Sequence, residues 1–247
     1  MASNRKCGFC ENTDLSKEHI FAQWLLRELD IFDNNVLMTH STFTGMPISD
    51  RTHPFSKLVN GLVCKKCNND WMSQLEGDCQ SHIINLMNIE ELDRELAYLS
   101  DNHETVAKWA FKNVILLNSA TNYRQLVPEG HYKELYLGKL PDGVFIDLAF
   151  CKSDSTIEWR QTLGGMIVKD KNIPFNPNAI RYHITFQIKS LLIKITYLES
   201  KYNTFYEDDG AIRLFPQFGV YGTPKVFESI DEFDIHGVFH EYSNKTE

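Results

Sequence analysis

The chain has 247 residues, 43% hydrophobic and 23% charged, with 33 acidic against 25 basic side chains and a formal net charge of −8. That balance suits a globular protein and excludes both a disordered chain and a surface that is cationic throughout, so any polyanion site must be local. No stretch reaches the roughly 18 apolar residues of a membrane span, and no apolar signal segment precedes the first cysteine, so a reducing cytoplasm is the expected compartment.

The first element is a Cys-x-x-Cys pair, Cys7 and Cys10, answered much later by Cys64 and Cys67. Each pair can grip an ion from one tight turn, and two pairs complete a closed tetrahedral zinc site with no open position for substrate, so a structural Zn2+ is expected. Between Cys10 and Cys64 lie 53 residues, far more than a compact zinc site needs, so an insertion must fold inside the loop. The competing reading is a pair of redox or disulfide motifs. No βαβ pattern surrounds either pair, and the two leftover cysteines, Cys79 and Cys151, do not suit an oxidised scaffold.

A polar turn follows the first pair and leads to Glu18-His19. Phe21, Trp24, Leu25 and Leu29 then share one helical face. Residues 31–60 mix turn formers with short apolar runs and read as short strands or a loose hairpin. Past Cys67, Asn68-Asn69-Asp70 supplies cap-type residues ahead of a helical stripe of Trp71, Leu75, Cys79 and Ile83, with Gly77 a point for a bend and Cys79 a core thiol. Asp101-x-x-Glu104 resembles a capping box and predicts a further helix carrying Val106, Trp109, Ala110, Val114 and Leu117. From about residue 131 the composition turns to strands, at 135–137, 144–150, 156–168, 180–198 and 211–218, as an antiparallel sheet.

The residues flanking the cysteines carry the chemistry. Glu18 and His19 adjoin one pair, and Asn60, Asn68 and Asn69 adjoin the other, so a shared zinc would draw them together. Hydrolysis of a phosphodiester needs a base for water, a hard cation for the developing charge, and groups that hold both. His19 suits the base, and oxygens of Glu18 and an asparagine suit Mg2+ or Mn2+. Neighbours on a strand point to opposite faces, so Glu18 and His19 can share a site only at a strand end or turn. Arg5, Lys6, Lys65 and Lys66 would cluster round the zinc and could meet phosphates, and the helix after Cys67 would aim its N–H groups at an anion. His40 and His53 lie in the insertion, and His236 and His240 stand four apart in a strand-like stretch; all four read as ordinary surface histidines.

Three segments, Cys7-Gly-Phe-Cys10, Ser16-Lys-Glu18-His19-Ile-Phe21 and Val63-Cys64-Lys-Lys-Cys67-Asn68-Asn69-Asp-Trp71-Met-Ser-Gln-Leu75-Glu76, together resemble the His-Asn-His (HNH) endonucleases, the ββα-metal nucleases, in the branch framed by a treble-clef zinc site. The resemblance covers about the first third of the chain. It implies an α+β protein: a zinc-bound, treble-clef-like ββα-metal module over 1–90, then a helical middle and an antiparallel sheet region over 91–247, with the boundary between 80 and 130. It also implies Glu18 as a metal ligand, His19 as general base, Asn60 orienting that base, Asn68 or Asn69 as second metal ligand in place of the family's last histidine, and DNA as substrate. Trp71, Leu75 and Glu76 read as structural. Two departures stand out: Asn60 precedes the third cysteine by four residues where the family's asparagine precedes it by five, and Ala22 stands where a proline is common. The C-terminal part is left to supply substrate choice, homodimer contacts or a control surface. The alternative is a catalytically inactive, zinc-stabilised module that binds nucleic acid or protein.

Overall fold

The structure, a computed structural model, describes residues 5–41, 46–88, 92–120, 125–153, 155–162, 166–220 and 222–243. The His40 side chain and residues 163–165 of the expected 156–168 strand lie outside the described residues. The fold is α+β, as expected.

Two very short strands, β1 (Glu18–His19) and β4 (Val59–Asn60), pair antiparallel with Glu18 opposite Asn60 and His19 opposite Val59. The chain between them folds as the cysteine spacing requires: α1 (Gln23–Glu28) buries Leu25 and Leu26, and β2 (Asn35–Ser41) and β3 (Pro47–Pro54) form an antiparallel hairpin. Its base is closed by Phe55 N–H donating to Asn34 O at 2.9 Å and Ser56 N–H to Phe32 O at 3.1 Å. Leu37 and Ile48 on the hairpin remain 61% and 58% exposed.

After β4 the chain turns through Cys64 into α2 (Lys65–Cys67), a π-helical turn (Asn68–Met72) and α3 (Ser73–Leu86). The expected cap at Asn68-Asn69-Asp70 is therefore corrected, because these residues lie inside the helix. Cys64 is the cap, its Sγ accepting the Cys67 N–H at 3.4 Å, and the N-terminal N–H expected to meet an anion is spent on a sulfur. Nor does α3 break at Gly77; Cys79, Ile83 and Leu86 bury one continuous face, and that packing outweighs the cost of one glycine.

Helix α4 (Leu92–Ala120) begins well before the Asp101-x-x-Glu104 box, whose acids sit on the helix surface, Glu104 pairing with Lys108 at 2.8 Å one turn on. The strand expected at 135–137 is helix instead: α5 (Glu129–Tyr136) follows Pro128 and buries His131, Tyr132 and Leu135 at helical spacing. Gly138, at φ +77, ends it in the left-handed conformation that glycine adopts without strain.

The C-terminal sheet contains β5 (Val144–Cys151), β6 (Ile157–Thr162), β8 (Arg181–Ile188), β9 (Leu191–Leu198), β11 (Ile212–Phe215), β12 (Gly219–Val220) and β13 (Val226–Phe227), in the order β12-β11-β5-β9-β8-β6 with β13 beside β5. A smaller sheet orders β10 (Asn203–Glu207), β14 (Val238–Tyr242) and β7 (Met166–Lys169). The region is antiparallel in most of its pairings, as expected, with two parallel pairs added, β13 with β5 and β14 with β7. Strands β5, β8 and β9 are buried on both faces. Ile146, Leu148, Phe186, Ile193 and Ile195 belong to the main core with α4, where Trp109 meets Phe186 edge-on at 6.3 Å. The alternate residues Asp147, Thr185, Lys194 and Arg213 are buried as well, beneath α6 (Ile230–Ile235) and its flanks. Arg213 pairs with Asp147 and Lys194 with Asp208, while Lys194 Nζ also donates to Phe233 O and His236 O.

The main core runs from Cys7 to Leu214 without a break at residue 90. Phe21 meets Trp159 of β6 at 5.7 Å, and Gly8 lies so close to α5 that an added Cβ would stand 3.0 Å from Tyr132 Cδ1. No described helix is long and apolar enough to cross a membrane.

Burial of His131, whose Nδ1 lies 3.2 Å from Tyr182 Oη, pulls its pKa from 6.5 down to about 4. The unfolded chain takes up a proton below 6.5 and the folded one does not until about 4. Stability is therefore lost as pH falls through that window, by up to about 3 kcal/mol. Urea titrations at stepped pH are expected to show this slope, and His131→Phe to flatten it.

Candidate metal centre and adjoining cleft

The two Cys-x-x-Cys turns face each other. Cys7 N–H donates to Asn12 O at 2.8 Å and Glu11 N–H back to Cys7 O at 2.9 Å, a turn tight enough to hold Glu11 at φ 63. Gly8 N–H donates to Leu62 O at 2.9 Å and Ser16 N–H to Val63 O at 2.8 Å, so the first turn is laced to the strand entering the second. The Sγ separations are 3.9 Å for Cys7–Cys67, 3.5 Å for Cys10–Cys64 and 3.4 Å for Cys10–Cys67, and all four sulfurs lie within 4.8 Å of one another. Sulfurs 2.3 Å from a shared zinc stand about 3.8 Å apart in a tetrahedron, so these four residues could hold a metal ion and are consistent with structural zinc. All are free thiols far beyond disulfide length, and Cys7, Cys64 and Cys67 are buried. Burial, reinforced by the neighbouring thiols, pushes the Cys67 thiol well above its ordinary value. Four thiolates here need the counter-charge of a cation.

Beside the cluster opens a cleft of about 300 Å³ lined by Lys17, Glu18, His19, Ala22, Gln23, Trp24, Asn68, Met72, Ser73 and Glu76. Three of the expected site residues, Glu18, His19 and Asn68, converge there. β1 is only two residues long and bends immediately after His19, which allows adjacent residues to line one cleft. Asn68 opens the π-helical turn, a local widening of the helix that recurs at functional sites, and lines the cleft together with Glu18. Burial first, and the charge of Glu76, raise the Glu18 carboxyl above its ordinary value, against the lowering effects of Lys112 and Asn68.

Glu76 is the floor. One of its oxygens accepts from Trp24 Nε1 at 2.7 Å and from Trp109 Nε1 at 2.9 Å, and the other pairs with Lys112, whose side chain is fully buried. Burial alone would raise this carboxyl, but the Lys112 ammonium and the two indoles hold it below its ordinary value. With its oxygens engaged, Glu76 ties α3 to α1 and α4 while lining the cleft.

Other expected site residues do not join. Asn60 is 2% exposed: its Nδ2 donates to Leu116 O at 3.2 Å and to Ser119 Oγ, and its Oδ1 accepts Leu62 N–H at 2.8 Å. Its amide binds β4 to α4 and lies outside the cleft lining. Asn69 is exposed outside it too, so of the two asparagines the one beside Glu18 is Asn68. Lys65 pairs with Asp14 at 3.0 Å, Lys6 with Glu11 at 4.0 Å, and neither they nor Arg5 and Lys66 line the cleft. The lining cation is Lys17, missed although it directly precedes Glu18. Gln23, also missed, opens α1 four residues after His19, and the bend between β1 and α1 brings the two side chains together. His53 is exposed, while His236 bonds Asp208 and His240 bonds Glu207, far along the chain from this site.

Elemental analysis is expected to find one zinc per chain, lost in Cys67→Ser together with a lowered melting temperature. Lys112→Met leaves Glu76 buried and unpaired, and urea unfolding is expected to show a loss of about 3–5 kcal/mol. No protein-family model, no curated protein and no solved structure matches the chain.

Proposed function

We propose that this cleft is a hydrolytic site for nucleic-acid phosphodiesters, of the HNH type that the sequence resembles and with DNA as its substrate. One observation supports the reading above the others: a carboxylate, an imidazole and a carboxamide from opposite ends of a long insertion line one cleft beside a four-sulfur cluster. In this reading the zinc is structural, and Glu18 with Asn68 would hold Mg2+ or Mn2+. That ion would supply charge stabilisation at the phosphorane and the leaving oxygen. Glu18 and Asn68 would form a hard oxygen site, the carboxylate and the amide carbonyl each offering an oxygen to the cation. His19, whose imidazole lines the cleft, takes the proton from the attacking water. Lys17 at the rim meets a phosphate oxygen of the strand, a local cation on an acidic protein.

One observation favours the second reading, a zinc-stabilised binding module without catalysis: the diversion of Asn60 into the interior. The two part on a single variant. His19→Ala is expected to keep zinc and melting temperature while losing magnesium- or manganese-dependent cleavage of plasmid or oligonucleotide DNA by about 100- to 10,000-fold. Cleavage by this variant at the parent rate, or none by the parent with either metal, removes the enzyme reading.

A further inference from the structure

A general base must be held by one ring nitrogen so that the other faces its water, and Asn60, expected in that role, is fully engaged elsewhere. Among the described residues, the side chain that hydrogen-bonds His19 is Gln23, the first residue of α1, whose carboxamide lies 3.3 Å from His19 Nδ1. Arg27, one turn further along α1, donates from Nη2 to Gln23 Oε1 at 3.1 Å. Phe32 backs both ends of the chain of contacts, with its ring 6.4 Å from the imidazole and 5.7 Å from the Arg27 guanidinium carbon. Gln23 and His19 both line the cleft.

We propose that Gln23 is the positioning residue for His19. This rests on reading the cleft as a hydrolytic site. The Gln23 carboxamide occupies Nδ1, and Nε2 is the nitrogen presented to water. Which end of the amide faces the ring decides the tautomer. With Nε2 of Gln23 toward Nδ1, as Arg27 holds it here, the neutral ring keeps its proton on its own Nε2. With Oε1 toward the ring, Gln23 accepts Nδ1–H and leaves the Nε2 lone pair free to take a proton. Arg27 is exposed, so a phosphate of the bound strand competes for its guanidinium and releases Gln23 to turn. The residue thus couples strand binding to the basic form of His19.

Gln23 is exposed, so its variants are expected to fold with an unchanged melting temperature. Gln23→Ala is expected to lower kcat on DNA by about 10- to 100-fold with little change in KM, the scale seen when the partner orienting a histidine is removed. Gln23→Glu, which can only accept from Nδ1–H, is expected to recover most of that loss. A second readout needs no activity: nitrogen NMR of the neutral His19 ring, expected to show mainly the Nε2–H tautomer in the parent and mainly Nδ1–H in Gln23→Glu. If the parent cleaves, His19→Ala does not, and Gln23→Ala matches the parent in kcat, Gln23 has no positioning role and the hydrolytic reading stands. If the parent does not cleave, that reading fails, and a ring tautomer identical in all three proteins overturns the Gln23 contact as well.

Discussion

The convergence of four sulfurs is the constraint on which the N-terminal region depends. β1 and β4 are two residues each, too short to pair on their own, and the insertion between them would cost loop-closure entropy with nothing local in return. The cysteine cluster joins the chain before β1 to the chain after β4, and the N–H bonds from Gly8 to Leu62 and from Ser16 to Val63 extend that junction into a short ladder. Glu18 and His19 then face the first turn of the helix that leaves Cys67. The cleft is a by-product of the junction: it sits where the strand pair stops and the helix widens.

Buried charge does the same work elsewhere. A buried ion pair adds little net stability but penalises every arrangement in which one partner is stranded. Glu76 and Lys112 fix α3 against α4 in this way, with Trp24 and Trp109 taking the remaining acceptor sites. In the large sheet Arg213 lies opposite Asp147, Asp147 opposite Lys194 and Lys194 opposite Thr185, a row crossing four strands in register. A one-residue slip of any strand would move its member of the row into the apolar core. Because α4 carries Lys112 toward the cleft and Trp109 toward β8, one helix holds site and sheet together.

What could be read from the sequence follows from the range of the forces involved. Cysteine spacing announced the sulfur cluster, and the folded insertion followed from the gap it left. Glu18 and His19 were visible because they adjoin the first pair. Asn60 was not: its offset of one residue hinted at a different role, but only the distant Leu116 and Ser119 reveal where its amide goes. Residues 135–137 look like a strand because three apolar residues in a row, Leu135-Tyr136-Leu137, carry no period, while the helix is decided by His131 and Tyr132 one turn earlier. The cap at Cys64 was hidden because sulfur is an uncommon capping group. Buried Lys112, Lys194 and Arg213 were beyond reach, since local pattern cannot tell a desolvated charge from a solvated one.

The hairpin of β2 and β3 is closed at its base, where Asn34 and Phe55 bond across it, and is anchored to the main core by Val36 and Met38. Nothing upstream of that closure has to move if the ribbon beyond those two anchors is lengthened, trimmed or exchanged. The cleft and its sulfur support are thereby insulated from variation in their most exposed appendage. Novelty can accumulate there, in descent or by grafting, without disturbing the chemistry at its foot.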